Sequence, residues 1–245
     1  GGSEDIICHG FEITAALDGA NFTVNAGKLY HGSTKCDVTA DTTLTFATAG
    51  DWHDAATDDY SGGTGWCYVG VNSSGDVKLC GANAPDVTDT SGNSAGKLIY
   101  WNNGGTYWFI VGAIRVNTSN ESAVLMKGSN RSQLKEEQSA LLAGGGSQWT
   151  SVDLSTLIPV GATAIFGNVK LINSYGGLSD NVHAYVASGS SGEGEQRIQE
   201  GYGTGYTATS YYTAMAFDIP VITAQTMYYG TGNDTCDIYI TGWEY

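Results

Sequence analysis

From Phe22 onward the chain alternates apolar and polar residues with a period of two, the spacing of a half-buried β-strand. Phe22 and Val24 run into turn residues Asn25, Ala26 and Gly27, Leu29 and Tyr30 run into Gly32 and Ser33, and Cys36, Val38, Leu44 and Phe46 continue the series among threonines. This pattern predicts short antiparallel strands with one wet face. Residues 67–80 read as a hairpin: Tyr68, Val69 and Val71 lead to Ser73, Ser74 and Gly75, and Val77 with Leu79 returns. Tyr107 to Val116 is apolar on both faces, which predicts a strand buried mid-core, against a second sheet or another subunit.

Residues 130–146 have a helical phase, with Leu134, Leu141 and Leu142 sharing a face and three glycines to stop it, although the same residues can be extended. Alternation then resumes at Val169 and Leu171, at Val182, Ala184 and Val186, at Met215, Phe217 and Ile219, at Met227 and Tyr229, and at Ile238 and Ile240. The expected fold is all-β with two β domains. An N-terminal antiparallel domain covers residues 1–129, residues 130–146 form the connection, and a β-sandwich or jelly roll covers 147–245.

Composition sharpens this. Of 245 residues, 35 are Gly and only 14% are charged, against norms near 7% and 25%. Surface helices need charged outer faces, whereas tight turns between strands need Gly, Ser, Thr and Asn. Ten basic against 25 acidic residues leave a net charge of −15, which argues against nucleic acid and anionic membrane as partners. The sequence contains no stretch of 18 apolar residues and opens on no signal-like segment, so a soluble or already trimmed chain is expected.

Three segments resemble stretches of bacteriophage tail-fibre and receptor-binding proteins: Tyr107 to Asn120 (YWFIVGAIRVNTSN), Gln148 to Pro159 (QWTSVDLSTLIP) and Asp237 to Tyr245 (DIYITGWEY). Residues 22–46 are similar to the opening strands of such proteins, and the resemblance spans residues 20–245. It implies a virion or extracellular structural protein, a homotrimer held with other virion proteins, whose tip touches cell-surface glycan. The five cysteines and the acidic stretch at 48–65 depart from that pattern.

Motifs of catalysis are missing. The Gly189 to Gly192 run is one residue short of a nucleophile elbow. Gly92 to Leu98 has too few residues between its glycines for a phosphate loop, and Gly201, Gly203 and Gly205 lack a βαβ setting. The four histidines, 9, 31, 53 and 183, lack zinc-protease spacing, and His183 is expected to face solvent or a strand neighbour beside Tyr185. Glu193, Glu195 and Glu200 read as solvated loop charges and not as a tuned acid pair. Cys67 and Cys80 bracket the hairpin and are either a cross-strand disulfide or two buried hydrophobes. The Asn-x-Ser/Thr sequons, at Asn21, Asn72, Asn117, Asn120, Asn130 and Asn233, matter only in a glycosylating host.

Two clusters remain as binding candidates. Asp51, Asp54, Asp58 and Asp59, with His53, supply hard oxygen ligands suited to Ca²⁺, but lack the spacing of a calcium loop; an exposed acidic loop is the simpler reading. Tyr202, Tyr206, Tyr211 and Tyr212 offer rings on which the apolar face of a sugar can lie, or alternatively serve as interface tyrosines. The function expected is non-catalytic adhesion to glycan by a tail-fibre or receptor-binding subunit. Its rivals are a β-sandwich domain of a secreted polysaccharide-degrading enzyme, catalytic or carbohydrate-binding, and a purely structural virion or filament subunit.

Overall fold

A computed structural model describes residues 7–31, 33–52, 65–80, 100–103, 106–117, 119, 122, 124–126, 131–173, 182–200, 211–232 and 235–245. Strands dominate them; a single 3-10 turn at Ala49–Asp51 is the helical element among the described residues. The chain divides into two units, Gly1–Lys135 with Glu244–Tyr245, and Glu136–Trp243.

The first unit contains β1 (Ile7–Gly10), β2 (Ile13–Ala15), β3 (Asn21–Val24), β4 (Gly27–His31), β5 (Thr34–Val38), β6 (Thr42–Thr45), β7 (Gly65–Val71), β8 (Val77–Cys80), β9 (Tyr100–Asn103), β10 (Thr106–Val116) and β11 (Val124–Met126). β1, β4 and β5 form one sheet, β8, β7, β10 and β9 another, and β11, β2, β3 and β6 pair in that order. The alternation of the sequence is visible strand by strand. Ile13 and Ala15 point inward from β2, Phe22 and Val24 from β3, and Leu44 from β6, and the Phe22 and Phe46 rings pack with centroids 5.3 Å apart. Although β3 and β4 are joined by a two-residue turn, they enter different sheets; their shared alternation does not make them a hairpin.

β10 is internal to its sheet, and its residues from Trp108 to Ile114 are buried. A bulge between Ile110 and Gly112 shifts its register against β7. Ile13 of β2 reaches Gly112 so closely that a Cβ there would overlap the Ile13 Cδ1 methyl, so one partner of the doubly apolar strand lies within the same unit. The hairpin from β7 to β8 is closed by Asn72, whose Oδ1 accepts the backbone N–H of Ser74 at 3.0 Å and of Asp76 at 2.9 Å. Asn72 is only 5% exposed, which removes this sequon from the set of accessible acceptors. In the same hairpin Tyr68, not Cys67, sits opposite Cys80; the two cysteines therefore point to opposite faces, and both are free thiols.

The segment expected to connect the domains is instead a strand, β12 (Arg131–Gly144), and the boundary between units falls inside it. Leu134 is buried while Leu142 is 61% exposed, so the leucines do not share the single face that a helix would have given them. Its first residues pair with β11, Val124 lying opposite Leu134.

The second unit continues with β13 (Thr150–Asp153), β14 (Ala164–Asn173), β15 (Val182–Ala187), β16 (Gln196–Glu200), β17 (Tyr211–Pro220), β18 (Thr226–Thr231) and β19 (Thr235–Glu244). One sheet runs β12-β19-β14-β17 and the other β13-β18-β15-β16. Successive strands cross from sheet to sheet at every step except the β15–β16 hairpin. That interleaving of two Greek keys is a jelly roll. Ile165, Val169, Leu171, Phe217, Ile219, Ile238 and Ile240 fill it from the first sheet, and Ala184, Val186, Ile198 and Met227 from the second. Each buried Val, Leu, Ile, Phe or Met among them contributes about 1.5–3 kcal/mol by leaving water. Gly167 lies within β14, where a Cβ would overlap the backbone oxygen of Tyr239.

Candidate functional site

The outer faces of the two jelly-roll sheets differ in chemistry. On β12, β14 and β19 the polar groups satisfy one another. Lys170 pairs with Glu137 at 3.3 Å and lies 4.1 Å from the centre of the Tyr239 ring, and Asp237 accepts the Ala143 N–H at 2.8 Å.

The β13-β18-β15-β16 sheet carries aromatics instead. In β15, Ala184 and Val186 point into the core, which turns His183 and Tyr185 outward, both half-buried. Their rings meet edge to face, centroids 4.8 Å apart. Register places Arg197 of β16 directly opposite Tyr185, and its guanidinium lies 5.1 Å from the ring centre. On the other flank Tyr185 faces Gly230 of β18, which adds no side chain to the surface. There the segment before β13 crosses: Gly146 accepts the Thr231 N–H at 3.1 Å, and a Cβ on Gly230 would come within 2.6 Å of the Gln148 Cα. This delivers the half-buried Trp149 to Tyr185, with centroids 5.9 Å apart at 60°.

Trp149 adopts φ +66°, a left-handed conformation that costs a bulky residue about 1–3 kcal/mol and that surrounding structure must enforce. The turn at 188–195 helps enforce it. Ser188 donates its N–H to Glu193 O at 2.8 Å, Gly192 to Gly189 O at 3.1 Å and Glu195 to Gly192 O at 3.1 Å, which brings Gly192 against the indole. Glu193 is occupied in this turn: its Oε2 accepts the Ser191 N–H at 3.1 Å.

The positions expected from sequence fall elsewhere. Tyr202 and Tyr206 lie outside the described residues, as do Asp54, Asp58, Asp59 and His53; Tyr211 and Tyr212 open β17, with their side chains outside the described set. Asp51 uses its Oδ2 to accept the Thr45 N–H at 2.7 Å, a structural contact that ties the turn at 49–51 back to the end of β6. Among the described residues no group of three or more His, Cys, Asp and Glu is arranged to hold a metal ion. The alternation around Val182, Ala184 and Val186 does announce an outward His183 and Tyr185. Trp149 and Arg197 carry no comparable sequence signal, because cross-strand register and a positive φ bring them in.

What these groups can do together follows from their surfaces. Tyr185 and Trp149 bring aromatic surface to this face, and Arg197 brings a planar group of N–H donors. No family model matches the chain, and no curated protein matches it as a relative.

Proposed function

We propose that the protein is a non-catalytic adhesion subunit that holds cell-surface glycan on the Tyr185 face of its jelly roll. The observation that carries this reading is the meeting of Trp149, His183 and Arg197 at one half-exposed tyrosine ring. A pyranose has an apolar C–H face that lies on such a ring while its hydroxyls take polar neighbours, and rings already fixed by packing lose little entropy on binding. The contrast with the self-paired polar groups around Lys170 supports the assignment to this sheet.

The resemblance of residues 107–120, 148–159 and 237–245 to tail-fibre proteins supplies the setting: a virion receptor-binding subunit, used as a homotrimer. Several weak sites on one symmetric particle gain avidity without any single tight contact. A net charge of −15 suits a particle that must stay soluble and disregard nucleic acid.

A glycan panel probed by tryptophan fluorescence, with a reducing-end assay on the same samples, tests the proposal. Saturable quenching by a saccharide without new reducing ends is the expected result. Release of reducing ends at steady turnover would overturn it in favour of a polysaccharide-degrading enzyme. Silence across the panel from a stable oligomer would favour a purely structural subunit.

A further inference from the structure

We infer that the Tyr185 face selects acidic sugars, with Arg197 as the residue that reads the carboxylate of a uronic-acid-type pyranose. This rests on the reading of that face as a glycan platform, and it adds a ligand class to it.

The chain has only ten basic residues, and most of those described are committed. Lys28 and Lys35 pair with Asp37, Lys135 with Asp18 and Lys170 with Glu137. Arg115 lies over Trp66 and is half-buried. Arg197 differs. It is exposed, and among the described residues no carboxylate pairs with it, although Glu193 and Glu195 are close in sequence; Glu193 is turned to Ser191. The guanidinium carbon lies 5.1 Å from the Tyr185 ring centre, within cation–π range, and no described carboxylate takes up its planar N–H fork.

That geometry matches a sugar acid. When the C–H face of a pyranose lies along Tyr185 and Trp149, a carboxylate on its ring edge comes beside the guanidinium and takes two parallel N–H bonds. A neutral hexose offers only a hydroxyl there. The overall charge of −15 opposes polyanions at long range, but at physiological salt that repulsion is screened beyond about 8 Å, so the local contact decides.

The test compares an oligouronate with its carboxyl-reduced neutral counterpart, titrated against wild type, Arg197→Gln, Arg197→Lys and Tyr185→Ala. Wild type is expected to prefer the uronate by about five- to tenfold. Arg197→Gln is expected to bind both oligomers alike, with neutral binding retained, Arg197→Lys to keep part of the preference, and Tyr185→Ala to weaken both. Equal binding of the two oligomers by wild type, or a preference that survives Arg197→Gln, overturns the inference while leaving the platform in place if Tyr185→Ala still weakens both. Binding of neither oligomer by wild type, or indifference to Tyr185→Ala, overturns inference and platform together.

Discussion

Gly192 lies so close to Trp149 that a Cβ on it would come within 2.6 Å of the indole Cζ2. Gly192 itself has φ +88°, so an L side chain there meets both backbone strain and the indole. The rigid ring system of Trp149 cannot yield as the end of a flexible chain would, and its own left-handed backbone leaves little slack.

Gly192→Ala is therefore expected to cost about 1–2 kcal/mol from the positive φ, with further cost if the indole stays in place. Its tryptophan emission should shift and its glycan binding weaken together. Chemical denaturation and fluorescence spectra check this. Unchanged stability and spectrum would show that the turn at 188–195 does not hold Trp149.

The cysteines give a prediction on the alkaline side. Burial pushes the Cys236 thiol up to about 12, aided by neighbouring Asp237, and the Cys36 thiol up to about 11, aided by Cys8. A raised thiol pKa means that the unfolded chain loses its proton first, near the ordinary value of about 8.5. The associated stability is present below that pH and is lost as pH rises through the folded values. Urea midpoints should fall from pH 8.5 upward, less steeply in Cys236→Ala once its own stability cost is subtracted. Since all five cysteines are free, reductant should leave Tm unchanged, and alkylation of the native protein at pH 8 should reach exposed Cys8 ahead of the four buried thiols.

Two carboxylates act on the acid side. The Ser155 backbone N–H, donated to Asp153 Oδ1 at 2.8 Å, holds the Asp153 carboxyl below the usual range, and Lys35 at 2.6 Å does the same for Asp37. A lowered folded pKa contributes stability that is present above the ordinary carboxylate value near 4 and is lost as pH falls through the folded value. The stability gap between wild type and Asp153→Asn should accordingly shrink below pH 4, as should that for Asp37→Asn. Denaturation curves between pH 7 and 3 read this directly, and a gap that stays constant would remove these contacts from the account.

Much of the fold was legible because alternation records which face is wet. Phe22 with Val24, Phe217 with Ile219 and Ile238 with Ile240 all point inward as their spacing predicted. Residues 131–144 were ambiguous because Leu, Lys, Glu, Gln and Ala favour helix locally, whereas ladder pairing with β11 and β19 decides the outcome, and such pairing is not written in local composition. The same reason limits the site. His183 and Tyr185 follow from alternation, but Arg197 reaches Tyr185 through the β15–β16 register and Trp149 reaches it through an unusual φ. Cys67 and Cys80 show how small the margin is: one residue of register separates a bridgeable pair from two thiols on opposite faces.

The most direct measurement is the affinity of a panel-identified saccharide for wild type, Tyr185→Phe and Tyr185→Ala, with each variant's Tm recorded alongside. Retained binding by the Phe variant and a loss of roughly tenfold, about 1.4 kcal/mol, by the Ala variant is the predicted result. Equal affinity of all three folded proteins for that saccharide would contradict the placement of glycan on this face.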